Sequence, residues 1–97
     1  MRRAQIERRL FEVSDRLNRS RAELVVVDEQ LRALSEAAEE ARVRALVSET
    51  PVANRELQET RRHAEAMARS REAAAATVAS LERTMDDLLE RLTSSSG

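Results

Sequence analysis

The side chains in this 97-residue chain that could do chemistry are arginines, carboxylates and a single histidine. An imidazole beside a carboxylate can move protons, and two or three such groups can hold a metal ion. Neither arrangement can be assembled here. His63 is the one histidine and the chain has no cysteine, so a metal site would have to rest on carboxylates alone; His63 is read as a solvated side chain. No nucleophile stands beside a base, and with Gly97 as the lone glycine there is no glycine-rich loop to cradle a phosphate. The sequence therefore predicts no enzyme, no cofactor and no metal. What remains is arginine. All seventeen basic residues are Arg, which reads first as the codon bias of a GC-rich genome, although the guanidinium does grip anions bidentately. Arg2, Arg3, Arg8, Arg9, Arg16 and Arg19 form the best candidate phosphate-binding surface. Against it stand a net charge of -1, the absence of Tyr and Trp for base stacking, and the acids Glu82, Asp86, Asp87 and Glu90, so nucleic acid is not the expected partner.

The elements that must position these groups are long helices. Charged residues make up 36% and apolar ones 41%, with one aromatic side chain, Phe11, a composition suited to a coiled coil and poorly suited to a globular core. Apolar residues recur with alternating spacings of four and three through Ile6, Leu10, Val13, Leu17, Ser20, Leu24, Val27, Leu31, Leu34, Ala38, Ala41 and Ala45. A second such series runs through Ala53, Leu57, Thr60, Ala64, Met67, Arg71, Ala74, Val78, Leu81, Met85, Leu88 and Leu92. A period of 3.5 kept over so many turns marks a left-handed coiled-coil seam.

The two series do not join. The first would continue to Ser48 while the second resumes at Ala53, and Pro51 lies in the gap. Proline lacks the backbone N–H and clashes with the preceding turn, but it fits the first turn of a new helix with Thr50 or Ser48 as N-cap. The expected organisation is all-α: helix 1 over about 3–47, a loop at about 48–50, helix 2 over about 51–92, and a flexible tail at 93–97. Folded back as an antiparallel hairpin, residues whose numbers add to about 98 should face one another. Charge agrees with that register. Residues 1–24 carry seven Arg against four acids while 73–97 carry two against four, and 25–41 carry one against five while 61–72 carry four against two. A kinked continuous helix pairing with a second copy would give the same layers as a domain-swapped form. The proline, at about 3 kcal/mol inside a helix, favours the hairpin.

Several apolar residues fall off the seam. Phe11, Val25, Val26, Val43, Leu46 and Val47 occupy outer heptad positions, and the flanks carry Ala37, Ala68, Ala75, Thr77 and Leu89 where a two-stranded coil would carry charges. This predicts a second packing surface, with two hairpins forming a homodimeric four-helix bundle. Arg71 stands on the seam opposite Val27, where its stem can pack while its head reaches Asp28, Glu23 or Glu72; the alternative is an arginine that contacts an anionic ligand in a bundle core. With no apolar run approaching the length of a membrane span and no apolar signal segment after "MRRAQIERRL", the chain is expected to be cytoplasmic and free of membrane.

Through "ARVRALVSETPVANRE" and "RRHAEAMARSR", the sequence resembles short, uncharacterised Arg- and Ala-rich coiled-coil proteins of actinobacteria along its whole length, a resemblance that implies the hairpin and no activity. The helical-hairpin anti-sigma proteins that bind cyclic di-GMP do so through E-x3-S-x2-R-x3-Q-x3-D, a string this chain lacks. The expected function is that of an interaction or adaptor protein that self-associates and binds a protein partner on a helical face. The alternative is a regulator contacting RNA polymerase or a sigma factor, with an anionic, nucleotide-type ligand at an Arg-lined site. Regulators that insert a coiled-coil tip into RNA polymerase need acids there, and this tip has Glu49 alone.

Overall fold

Pro51 divides the chain in two. The computed structural model describes residues 2–95 and contains two helices, α1 (Arg3–Ser48) and α2 (Pro51–Ser95), with no strand among the described residues. Glu49 and Thr50 alone connect them.

The stop and restart follow from local backbone chemistry. Glu49 turns the chain with φ 51°, in the left-handed region, while its N–H donates to the Ala45 carbonyl at 3.1 Å, closing the last turn of α1. Thr50 then caps α2. Its hydroxyl oxygen accepts from the Ala53 N–H at 3.1 Å and its carbonyl accepts from the Asn54 N–H at 3.0 Å, with Pro51 at the first helical position, where no N–H is missed. Of the two cap candidates in the sequence, the structure uses Thr50; Ser48 completes α1. At the start of α1, the Arg2 N–H donates to Gln5 Oε1 at 3.2 Å, one half of a capping box. Thr93, Ser94 and Ser95, expected in the flexible tail, continue α2 as helix, and the Thr93 and Ser95 hydroxyls donate back to the Leu89 and Leu92 carbonyls at 2.9 and 3.0 Å. The rest of that tail, Ser96 and Gly97, lies outside the described residues.

Contacts divide the hairpin into two units, Met1–Leu24 with Ala74–Gly97 and Val25–Ala73. In each, the α1 segment runs antiparallel to the α2 segment. The first unit holds the large buried side chains: Ile6, Val13, Leu17, Val78, Leu81 and Leu88 form one cluster, with Leu10, Leu24, Met85 and Leu92 packed against it. The second unit buries only alanines fully, Ala41, Ala45 and Ala53, while Val27, Leu31, Leu34, Leu57 and Met67 are half-buried. Every residue of the two heptad series, Ser20, Thr60 and Arg71 included, is buried or half-buried, as a seam requires.

Candidate functional site

A seam that takes one stripe of each helix leaves the outer faces to water, and here those faces are not uniformly polar. Phe11, Val25, Val26, Val43, Leu46 and Val47 are all exposed, Phe11 to 79% and Val47 to 80%. Two more belong with them. Val52 is 70% exposed and Leu89 47%. Val52 also falls at an outer heptad position, one residue before the Ala53 seam position, a signal that the neighbouring Pro51 and the turn obscure.

These residues fall into groups set by the helix period. Val43, Leu46 and Val47 stand three and four apart, so they share one face of the last turns of α1, and Val52 opens α2 across the two-residue connection. Val25 and Val26 form a separate exposed pair at the start of the second unit. In the first unit, Leu10, Phe11, Met85 and Leu89, with Glu7 and Ser14, line an open groove of about 280 Å³ between α1 and α2.

The charged candidates are mostly engaged by neighbours. Arg71 Nε donates to Asp28 Oδ1 at 2.8 Å, and both side chains are about two-fifths exposed. The stem thus packs in the seam and the head reaches the first of the acids the sequence offered, so an anion at Arg71 would have to displace Asp28. Of the basic start, Arg3 pairs with Glu7 at 2.9 Å, Arg9 with Glu12 at 3.4 Å and Arg19 with Asp15 at 3.2 Å, all within α1. Between the helices, Arg21 pairs with Glu82 at 3.3 Å in the first unit and Arg44 with Glu56 at 2.7 Å in the second. The numbers of Asp28 and Arg71 add to 99 and those of Arg44 and Glu56 to 100, one or two residues from the register read in the sequence.

The tightest ion pair is local. Arg42 Nε and Nη2 donate to Glu39 at 2.6 to 3.2 Å; this hydrogen bond, then the charge of Arg42, holds the Glu39 carboxyl below its ordinary value of 4.5, and the same bond, then the charge of Glu39, pushes the Arg42 guanidinium up. Both groups lie at the surface. Among the described residues no three His, Asp or Glu side chains cluster to hold a metal ion, no buried polar side-chain atom lacks a partner, and no helix is long and apolar enough to cross a membrane. Compared with protein-family models, curated proteins and solved structures, the chain matches none.

Proposed function

We propose that this chain is a non-enzymatic interaction module: a helical hairpin that self-associates, two hairpins forming a four-helix bundle, and that holds a protein partner on an outer helical face. The observation that carries the reading is the set of large apolar side chains outside the seam, Phe11, Val25, Val26, Val43, Leu46, Val47, Val52 and Leu89, all exposed. Fully burying one such side chain is worth about 1.5–3 kcal/mol, so a few of them meeting a complementary surface suffice for stable association. Scattered single exposures need no explanation, but these include the adjacent pair Val25 and Val26 and the same-face triplet Val43, Leu46 and Val47.

Self-association is tested by multi-angle light scattering over a range of concentration. The expected mass is twice the 11.0 kDa of one chain; a monomer at every concentration sinks the bundle. The partner face is tested by pull-down with two variants, one with Val25 and Val26 changed to Ser and one with Glu49 and Pro51 changed to Ala. Loss of the partner in the first alone supports a helical face. Loss in the second alone moves the contact to the tip and overturns the adaptor reading in favour of a tip-inserting regulator.

A further inference from the structure

In the first unit a knob and a hole lie side by side. The groove between α1 and α2 is floored by Leu10 and Met85 and walled by Leu89, and Glu7 and Ser14 close its polar rim. Phe11 stands on its lip, yet with 79% of its surface exposed it does not fill the groove. We propose that this groove receives a second copy of the chain, Phe11 of each copy entering the Leu10–Met85–Leu89 groove of the other about a two-fold axis. The proposal rests on the self-association reading above and assigns its interface.

Two observations select a second copy as the occupant. A two-fold contact needs one surface that carries both halves of the fit, and a protruding aromatic beside an apolar groove of its own chain is such a surface. Aromatic anchors seated in desolvated pockets are also the groups that dominate interface energies. Charge then sets the orientation. One helical turn before Phe11, α1 carries Arg8, and one turn before Leu89, α2 carries Asp86; neither has an ion pair among the described residues. Glu7, on the rim itself, is already held by Arg3 at 2.9 Å. A two-fold that lays α1 of one copy along α2 of the other brings Arg8 to Asp86 of its mate twice over. The alternative that sets α1 against α1 brings like charges together, which an interface disfavours.

The experiment measures the dimer dissociation constant of the full chain by sedimentation equilibrium. Phe11→Ala and Leu89→Ala remove exposed side chains, so helicity by circular dichroism should hold while dimerisation weakens. Each anchor truncation is expected to weaken a contact on the order of 30-fold, and because the two-fold uses Phe11 twice, Phe11→Ala should weaken the dimer on the order of 1,000-fold. Arg8→Glu and Asp86→Arg should each weaken the homodimer, and an equimolar mixture of the two variants should dimerise, since both cross-contacts then pair opposite charges. A dimer insensitive to Phe11 and Leu89 but lost on polar substitution of Val25 and Val26 overturns this interface and leaves self-association standing. A wild-type chain that stays monomeric overturns both.

Discussion

At the scale of single residues, the two that join the helices do most to set the local geometry. Glu49 holds a left-handed conformation that disfavours any side chain with a Cβ by about 1–2 kcal/mol. Glu49→Gly should therefore raise stability by about 0.5–1 kcal/mol in urea denaturation followed by circular dichroism, net of the entropy glycine adds to the unfolded chain. Thr50→Ala removes the oxygen that satisfies the Ala53 N–H and should lower stability by about 1 kcal/mol, with Thr50→Ser recovering most of it. Thr50 was legible in the sequence as a cap because Pro51 follows it. The strain at Glu49 was not, since nothing in a glutamate announces a left-handed backbone. A pH dependence belongs at this scale too. Because the Arg42 hydrogen bond lowers the Glu39 carboxyl in the folded chain, Glu39 adds stability above its unfolded value near 4.5, and that contribution disappears as pH falls through the lowered folded value. A carboxyl-carbon titration by NMR should give Glu39 a midpoint below 4.5, rising in Arg42→Ala; a midpoint unmoved by the substitution would leave the lowering without its cause.

At the scale of elements, the seam was legible almost in full, because a 3.5-residue period is a property of spacing and survives without knowledge of any contact. What spacing does not reveal is how deeply each layer is buried. Val13 and Leu31 both lie on the seam, yet Val13 is 0% exposed and Leu31 is half-buried. The difference follows the units: Val13 belongs to the cluster of large buried side chains in the first, whereas the second buries only alanines fully. Val13→Ala should accordingly cost about 2 kcal/mol or more, and Leu31→Ala less than the 2–5 kcal/mol usual for a leucine in a closed core. Equal losses would contradict the packing difference. The Arg71–Asp28 pair was foreseen as one of three options for the arginine head. With both side chains about two-fifths exposed, a double-mutant cycle should give it no more than about 1 kcal/mol, consistent with a role in register. Neither helix exploits its dipole, with no acid in either first turn and no base in either last turn, so the few tenths to about 1 kcal/mol that such end charges supply is absent.

At the scale of the molecule, the exposed apolar surface was legible as residue types but not as shape: the six outer apolar residues could be named from their heptad positions, whereas the groove beside Phe11 exists only once α2 supplies Met85 and Leu89. The large side chains that anchor the fold sit where the chain has furthest to go to bring them together. Leu17 and Leu81 are 64 positions apart, Ala45 and Ala53 only 8, an eightfold longer loop. Each doubling of a loop adds about 0.6 kcal/mol of closure entropy, so closing the former pair first carries an extra barrier of about 2 kcal/mol. Folding should then begin at the turn, among alanines that contribute little to final stability, and zip toward the leucines. In stopped-flow circular dichroism, Thr50→Ala should slow folding, while Val13→Ala should leave the folding rate nearly untouched and accelerate unfolding. How fast this chain forms and how long it lasts are thus governed by different residues, and the two can be tuned separately.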